Sequence, residues 1–366
     1  MKITFVNRMM GIKFGGGESF DLCIAKELQK LGHEVDLVIG APMIKEPLSI
    51  KDIKVTYIKT PYLRSIHYKI KPTNFLYRLI SILAAKADGY IWSFVAYWVL
   101  KKKDSDIFQL CGLSHLGAKL SFKGKISSIF WPGPPSKSLK KSILKSHINF
   151  AHGDTLNRLK EFTTTLHDIP PGVDLELFSS KKRESKKKVR FLFVGRFIDV
   201  KNLDFLIDAF NEAYKIDQNI ELVLVGEGTQ EQSLKRVINS DITFVGFKSG
   251  KELANEYKRA DVFCIVSKYE SFSIVTLEAM ASSLAIIASD RGYLPKLIKD
   301  NETGLIISLD DKSALKKAIL KLASDKNLRD RLSKNAREFV EQNFSWKKSA
   351  KRLEKIYKEK ICEILS

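Results

Sequence analysis

Short apolar runs alternate with amphipathic helical patterns along almost the whole chain. The runs at 189–195 and 261–267, for example, are apolar enough to be strands that are buried on both faces. This alternation predicts an α/β protein whose parallel sheets are covered by helices on both sides. The predicted strands are 2–7, 34–40, 53–58, 106–112, 127–131, 148–153, 189–195, 220–228, 242–247, 261–267, 284–290 and 304–308.

The strands fall into two sets, and 366 residues are too many for one ordinary core. A turn-rich PPGVD segment separates the sets, and the charge run at 181–188 is expected to be a solvated connection. We therefore predict two Rossmann-like domains, at 1–172 and 173–345, followed by a helical segment at 346–366.

The segment 79–100 is the most hydrophobic part of the chain, but Lys86 and Asp88 interrupt it as a membrane span. A helical stripe within it predicts a buried or interfacial amphipathic helix, formed by Ile91, Phe94, Val95 and Trp98. An ordinary core helix is the alternative. The surrounding basic and aromatic residues favour contact with an anionic membrane surface. They are Tyr62, Arg64, Tyr68, Lys69, Lys71, Tyr77, Arg78, Lys101, Lys102 and Lys103.

The formal net charge of +20 should attract polyanions, so nucleic acid is a rival partner. The lysines are dispersed and no nucleic-acid-binding motif is present, so we expect no nucleic-acid partner. Four scattered cysteines indicate neither a metal site nor a disulfide framework, and they fit a reducing cytosol. The N-terminus leads into a strand without a signal-peptide pattern, so we expect a cytoplasmic protein, peripheral at the inner face of the membrane.

Two glutamates eight positions apart, Glu270 and Glu278, bracket a strand-to-helix corner in YESFSIVTLEAM. In an open α/β sheet, ligands bind at such corners, outside the carboxyl ends of the strands. Carboxylates only accept hydrogen bonds, so the pair suits a ligand with many hydroxyl groups, such as a sugar or a ribose. Ser273 can cap the helix, whose N-terminus can hold anionic oxygen.

A second candidate element, FVGRFIDVKN, places Arg196 and Lys201 just after a buried strand that ends at Gly195. Two cations above strand ends are well placed for a diphosphate, although a surface ion pair is the alternative. The VGEG turn, with Gly226 and Gly228, lets the backbone approach a ligand closely.

A three-glycine loop, Gly15, Gly16 and Gly17, lies between the first strand and a helix whose predicted stripe is Leu22, Ala25, Leu28 and Leu31. Such a loop can bring backbone against a phosphate or an acceptor. It matches neither the dinucleotide fingerprint nor the P-loop, which argues against a dehydrogenase and an NTPase.

From IPPGVDLELF to TGLII, over roughly 190 residues, the second half resembles the retaining family 4 glycosyltransferases of GT-B fold, and the first half is more loosely similar. The resemblance implies that an N-terminal acceptor-binding domain at 1–172 and a C-terminal nucleotide-sugar-binding domain at 173–345 face a central cleft. It also implies that the C-terminal helix at 346–366 crosses back toward the N-terminal domain. It also implies a hexosyltransferase that retains anomeric configuration and binds no metal or other cofactor, the nucleotide-sugar being a co-substrate. The hexose would be of glucose, GlcNAc, galactose or mannose type, with UDP favoured over GDP. The acceptor would be a glycan or glycolipid in cell-surface polysaccharide synthesis.

The resemblance also implies roles for individual residues. Arg196 and Lys201 would bind the donor diphosphate, Glu270 would contact the donor sugar, and Glu278 would bind the ribose hydroxyls. The first three form the implied catalytic set. The implied donor-binding residues are Gly15, Gly16, Gly17, Gly195, Gly226, Gly228, Ser271, Phe272, Ser273, Ile274 and Glu278.

The chain departs from the family pattern at several positions. Trp131 stands near a strand end where relatives often carry a histidine, Ser271 and Ser273 replace common glycines, and Lys296 replaces a usual glutamate. His115 and His152 lie near strand ends and are more often structural in such places. Asp104-Ser105-Asp106 matches a metal-binding DxD pattern but precedes a strand, so we interpret it as incidental.

Two alternatives remain open at this point. One is a soluble GT-B enzyme with a small or polyglucan acceptor, similar to sucrose or glycogen synthases. The other is a non-catalytic basic scaffold that binds nucleic acid or polysaccharide.

Overall fold

A computed structural model describes residues 1–12, 15–41, 50, 52–60, 75–122, 125–132, 146–162, 165–179, 188–238 and 240–366. The chain divides into two compact units. The first unit comprises residues 1–170 and 347–366, and the second comprises residues 171–346. The predicted connection at 181–188 lies outside the described residues except for Lys188, as do residues 61–74 of the basic and aromatic segment.

The first unit contains a parallel sheet in which the described strands run in the order β3-β2-β1-β4-β5-β6-β7. The strands at its centre are almost wholly buried, because helices cover the faces of a parallel sheet. The order reverses between β1 and β4, where Phe5 lies opposite Gln109. The strands are β1 (Lys2–Asn7), β2 (Glu34–Ala41), β3 (Lys54–Lys59), β4 (Ile107–Cys111), β5 (Ile126–Phe130), β6 (Ile148–Ala151) and β7 (Leu166–Asp168).

Described helices of the first unit connect these strands and end the chain. The terminal helix belongs here: Tyr357 is fully buried, and its hydroxyl donates a hydrogen bond to Oε1 of Gln109 at 2.7 Å. The helices are α1 (Gly16–Lys30), α2 (Phe75–Lys101), α3 (Ser114–Phe122), α4 (Gly153–Leu159) and α12 (Trp346–Leu365).

The second unit repeats the same design with a parallel sheet of order β10-β9-β8-β11-β12-β13. This is the Rossmann strand order, and it reverses between β8 and β11, where Leu192 lies opposite Phe263. The strands are β8 (Val189–Val194), β9 (Ile220–Val225), β10 (Ile242–Gly246), β11 (Val262–Ile265), β12 (Ala285–Ser289) and β13 (Leu305–Ile307).

Helices on the second sheet bury one apolar stripe each. On α5 this stripe is Leu203, Leu206, Ile207 and Phe210, all fully buried, as its spacing in the sequence requires. The described helices are α5 (Leu203–Tyr214), α6 (Glu231–Lys235), α7 (Gly250–Arg259), α8 (Ile274–Ala281), α9 (Leu294–Leu297), α10 (Lys312–Ser324) and α11 (Lys326–Asn343).

The predicted α/β class is confirmed, and each predicted strand is present within a few residues of its expected ends. Two local predictions need correction. Strand β7 was missed, because its three half-buried residues form no apolar run. On α1 the predicted Ala25 and Leu28 are buried, and Phe20 and Ile24 complete the buried line. The predicted Leu22 is only half-buried, and Leu31 lies beyond the helix end.

For α2 the sequence left a buried and an interfacial helix open. The buried face is formed by Trp92, Ala96, Tyr97 and Leu100, whereas the stripe named from the sequence faces outward. Among the described residues, no helix has the length and apolar character that a membrane span requires.

Candidate functional site

The loops that follow β8 and β11 meet at the point where the strand order of the second sheet reverses. Parallel strands all end at one edge, and the reversal sends the connecting helices to opposite faces, which opens a crevice at this edge. The predicted cations follow β8, and Glu270 follows β11. The topology therefore brings the two sequence elements together.

Lys201 and Glu270 are in direct contact in this crevice. The Lys201 ammonium donates to Oε1 of Glu270 at 2.5 Å, and the two side chains are only 14% and 11% exposed. The Ser267 hydroxyl, at the end of β11, donates to the same oxygen at 2.7 Å. In turn Ser289 donates to the Ser267 carbonyl at 2.7 Å. The carboxylate is thus held in one orientation by a buried network.

A backbone hydrogen bond also joins the Lys201 loop to the Glu270 loop. Lys201 ends a short 3-10 turn, Asp199–Lys201, and the backbone N–H of Lys268 donates to the Val200 carbonyl at 2.8 Å. The Lys268 ammonium also contacts Asp199 at 2.8 Å, but this pair is largely exposed. The backbone bond fixes the relative position of the two loops, while the exposed ion pair adds little.

Arg196 lies on the same loop but is exposed, and its guanidinium forms no ion pair with any residue that the structure describes. Its five N–H donors therefore remain available for an anion. Of the two cations, Arg196 is exposed, whereas Lys201 is largely buried in an ion pair with Glu270.

The glycines after β8 and β9 are required by the packing of these loops on each other. A Cβ at Gly226, whose φ is +137°, would lie 1.9 Å from the carbonyl oxygen of Gly195. A Cβ at Gly228 would lie 2.3 Å from the carbonyl oxygen of Phe197. Close approach was the expected role of these glycines, but the approaching group here is the neighbouring loop.

Glu278 lies on α8 and has a partner of its own. The buried Tyr257 hydroxyl, from α7, donates to Oε2 of Glu278 at 2.9 Å. Desolvation raises the pKa of this carboxyl to about 7, although the Tyr257 hydrogen bond opposes the shift. Glu278 is therefore close to half-ionised at neutral pH, and it can change from donor to acceptor there.

The ESFS corner connects the two glutamates. Ser273 precedes α8, but its hydroxyl makes no capping bond and is paired with the Thr276 hydroxyl at 2.8 Å. Its φ of +89° lies in the left-handed region that favours glycine. The serine thus keeps a backbone conformation that glycine would adopt at lower cost. Ser271 and Ile274 are half-buried, and Phe272 is buried against Tyr293 with ring centroids 5.3 Å apart.

In the first unit, the three glycines lie at the corresponding edge of the other sheet. Gly15 precedes α1, and Gly16 and Gly17 are its first residues. Below them Asp21 is fully buried and accepts a hydrogen bond from Asn7 Nδ2, at the end of β1, at 2.8 Å. Desolvation raises the pKa of Asp21 to about 8, so at neutral pH this residue is mostly protonated and anchors α1 as an uncharged group.

His152 is buried among aromatic side chains of the first unit. Its ring stacks against Phe20 and Phe130 at centroid distances of 5.6 and 5.4 Å, and burial lowers its pKa to about 3. The His115 side chain lies outside the described residues. Asp104 and Asp106 are at the amino edge of the first sheet, where both accept hydrogen bonds from Lys2. They are far along the strands from the glycine loop, which supports the interpretation of the DxD pattern as incidental.

Residues 175–339 match the family model of the glycosyl transferases group 1. The second unit is therefore a group 1 glycosyltransferase domain. An uncharacterised glycosyltransferase of Methanocaldococcus jannaschii is 27% identical over 268 residues, 68% of this chain and 67% of the relative. The phosphatidyl-myo-inositol mannosyltransferase of Mycobacterium leprae is 28% identical over 197 residues, 52% of each chain. The chain spans about half the length of most of the curated relatives that it matches.

Solved structures share the fold of this chain over nearly its whole length. Sucrose-phosphate synthase from Thermosynechococcus elongatus aligns with a TM-score of 0.78 at 20% identity, covering 98% of both chains. HepE from Anabaena, solved with UDP and glucose, aligns with a TM-score of 0.74 at 15% identity, covering 98% of this chain and 100% of its own. The predicted GT-B fold class is confirmed by this likeness.

Three residues of the candidate site were not identified in the sequence analysis. Ser267 orients Glu270, and Tyr257 binds Glu278, although neither stands in a recognisable motif. Gly292, with φ +61°, allows its loop to pass Glu270, since a Cβ there would lie 2.4 Å from the Glu270 carbonyl oxygen. Only Gly292 carried a signal, as a glycine directly after the strand at 284–290.

Proposed function

We propose that this glycosyltransferase transfers a hexose from a nucleotide-sugar, with retention, to a glycan or glycolipid acceptor. The observation that carries the proposal is the contact of Lys201 with Glu270 at the switch point of the second sheet, on the loop that also exposes Arg196. Cations and a sugar-binding carboxylate are thereby joined in one site. A nucleotide-sugar is a ligand that needs both.

The two cations, Arg196 and Lys201, are proposed to act on the bond between the sugar and the diphosphate. Cleavage of a glycosyl phosphate builds negative charge on the leaving diphosphate and positive charge on the sugar. Cations that are already positioned stabilise this charge more in the transition state than in the ground state. Lys201 is held by Glu270 and Arg196 presents a planar fork, so they act as a point charge and a bidentate donor. Loss of either should cost on the order of 3 kcal/mol.

The two glutamates are assigned to different parts of the donor. Glu270 shares its site with Lys201, so its second oxygen is proposed to accept from a sugar hydroxyl near the diphosphate. Glu278, on the helix, is proposed to accept from the ribose hydroxyls. The backbone at Ser271, Phe272, Ser273 and Ile274 would contribute N–H groups to sugar or phosphate oxygens.

Retention and the absence of a metal requirement are parts of the same proposal. In a same-face route, the leaving phosphate itself takes the proton of the acceptor hydroxyl, so that no dedicated base is needed. Arg196 and Lys201 would supply the positive charge that a metal provides elsewhere. Of the donor nucleotides, we propose UDP, which is supported by the fold shared with HepE, solved with UDP.

A glycolipid or lipid-linked glycan at the inner face of a membrane is our proposed acceptor, as part of cell-surface polysaccharide synthesis. It is supported by the similarity to a mannosyltransferase named for a phosphatidylinositol and by the net charge of +20. The second candidate is an enzyme with a small acceptor, which the fold shared with sucrose-phosphate synthase favours. A non-catalytic scaffold would not need a buried lysine held against a carboxylate.

Donor identity is tested by screening UDP-, GDP- and ADP-hexoses for thermal stabilisation and for nucleotide release. We expect a UDP-hexose to stabilise the protein and to release UDP when a suitable acceptor is added. NMR of the product should show the anomeric configuration of the donor, and activity should persist in a chelator. Stabilisation by none of the three nucleotide classes would contradict the proposal.

A further inference from the structure

The stripe on α2 that the sequence singled out is a ridge on the surface of the first unit. We define the α2 ridge as the residues Tyr90, Ile91, Phe94, Val95 and Trp98. Their exposed fractions are 66%, 43%, 60%, 39% and 49%. They recur at helical spacing over about two turns, so they form one continuous apolar strip. Isolated exposed apolar side chains are ordinary, but a contiguous strip with three aromatic rings indicates an interaction surface.

The opposite face of α2 fixes this ridge to the fold. Trp92 and Leu100 are buried against the sheet, and Asp88 forms a buried ion pair with Arg8 at 3.1 Å. Arg8 directly follows β1, so the start of the ridge lies near the carboxyl edge of the first sheet. That is the edge that carries the glycine loop, Gly15 to Gly17.

Lysines border the ridge. Lys101 lies over the Trp98 ring at 5.2 Å, and Lys119 of α3 lies over the Tyr97 ring at 4.0 Å. Lys102 follows α2 and is exposed. Lys119 also borders a groove of about 470 Å³ between α2 and α3, whose walls are the ridge residues Tyr90, Ile91, Phe94 and Val95 with Leu116. Apolar groups at the centre are thus combined with cations at the rim.

The combination of apolar residues with lysines at the rim favours one kind of binding partner over another. Tyrosine and tryptophan rings favour the boundary between headgroups and acyl chains, and lysines beside them attract anionic headgroups. A second copy of the chain is a poorer occupant, because a two-fold axis on the ridge would bring the lysines of both copies together. The net charge of +20 acts in the same direction, toward an anionic surface and against self-association.

We propose that the α2 ridge docks on an anionic bilayer, with its aromatic side chains at headgroup depth and Lys101, Lys102 and Lys119 on the lipid phosphates. When the ridge lies along the membrane, its Tyr90 end brings the carboxyl edge of the first sheet close to the lipid surface. The role of this edge in reaching a lipid-linked acceptor rests on the proposed function. The docking itself does not.

Co-sedimentation of the full chain with phosphatidylglycerol vesicles and with phosphatidylcholine vesicles tests the docking. We expect binding to the anionic vesicles only. The double variant F94S/W98S should weaken binding at least about tenfold, since each aromatic side chain loses its apolar burial. The variant K101Q/K102Q should weaken it by about fivefold per lysine at low salt and much less at high salt.

Matched controls exist in the second unit. Phe247 and Ile216 are exposed to a similar extent, at 59% and 66%, and the exposed Lys317 and Lys321 lie on α10. The variants F247S/I216S and K317Q/K321Q should bind vesicles as the unmodified protein does. Thermal unfolding establishes that each variant is folded. In addition, the emission of Trp98 should shift to the blue on vesicles, and the shift should be absent in W98F.

An equal loss of vesicle binding in the ridge variants and the control variants would overturn the proposal, because binding would then depend on overall charge or hydrophobicity. A dimer in solution that the F94S/W98S substitutions dissociate would also overturn it. The same holds for vesicle binding that does not depend on the charge of the lipid. Failure here is distinguishable from failure of the proposed function. Nucleotide-sugar binding in solution should be unchanged in F94S/W98S and lost in K201A, whereas vesicle binding should show the reverse.

Discussion

Lys201 donates a hydrogen bond to Oε1 of Glu270, so the cation proposed for the donor diphosphate is fixed by the carboxylate proposed for the sugar. An ammonium group can donate three hydrogen bonds, and the described contacts of Lys201 use one of them. The remaining donors can serve phosphate oxygens without a change of rotamer. Positioning of this kind is what makes electrostatic stabilisation effective in catalysis.

A double-mutant cycle should detect strong coupling between these two residues. The variants K201M, E270Q and K201M/E270Q are expected to give a coupling free energy of unfolding of about 1–3 kcal/mol, because the pair is largely buried. The exposed pair Lys268 and Asp199 joins the same two loops and is the matched control. Its cycle should give at most about 1 kcal/mol. Equal coupling in both cycles would contradict the buried network.

Nucleotide binding should depend on the ionisation of Glu278. Its pKa of about 7 means that it becomes an acceptor-only group as pH rises through neutrality, so ribose hydroxyls should then bind more tightly. The affinity for a nucleoside diphosphate, measured by calorimetry across this pH range, should therefore rise in the unmodified protein more than in E278Q. Y257F removes the hydrogen bond that lowers this pKa, so it should move the transition to higher pH. Identical pH profiles in all three proteins would exclude Glu278 from the nucleotide site.

Replacing Ser273 by glycine should stabilise the second unit. The φ of +89° is strained for serine, and relief of this strain should raise the free energy of unfolding by about 0.5–1 kcal/mol after loss of the bond to Thr276. S271G is the control, since Ser271 has no positive φ and glycine there only adds unfolded-state entropy. Thermal denaturation should show opposite signs for the two variants. A decrease for S273G would show that the serine conformation is not strained.

The stability of the first unit should fall as pH rises, because of Asp21. Its folded-state pKa of about 8 lies above the ordinary value of 3.8, so its stabilising contribution is complete below the ordinary pKa. The contribution is lost as pH rises toward the folded-state pKa, by up to roughly 1.4 kcal/mol per pH unit. D21N cannot ionise, so its Tm should exceed that of the unmodified protein at alkaline pH and match it at acidic pH. D208N, on the exposed side of α5, should show no such increase in Tm at alkaline pH.

Much of the fold followed from the sequence, because strands that are buried on both faces are continuous apolar runs, as at Phe191 and Val262. Strand β7 has no such run and escaped. The residues of the candidate site that stand in motifs were predicted: Lys201 and Glu270 were placed at the correct strand ends. Ser267, the partner of Glu270, and Tyr257, the partner of Glu278, were not predicted, since an isolated serine or tyrosine carries no pattern and its contact depends on packing.

The α2 helix shows a different limit of sequence analysis. It has two apolar faces, one through Trp92 and one through Phe94, and periodicity identifies both equally well. Only the packing of the sheet decides which one is buried.

The most direct test of the account is turnover of the active nucleotide-hexose by K201A and E278A, with the exposed Lys268 replaced in K268A as the control. Loss of the diphosphate cation or of the ribose acceptor should reduce sugar transfer by at least about a hundredfold. Thermal unfolding should show that both variants remain folded at the assay temperature, and K268A should retain nearly full activity. Unchanged transfer in folded K201A and E278A would contradict the proposed donor site.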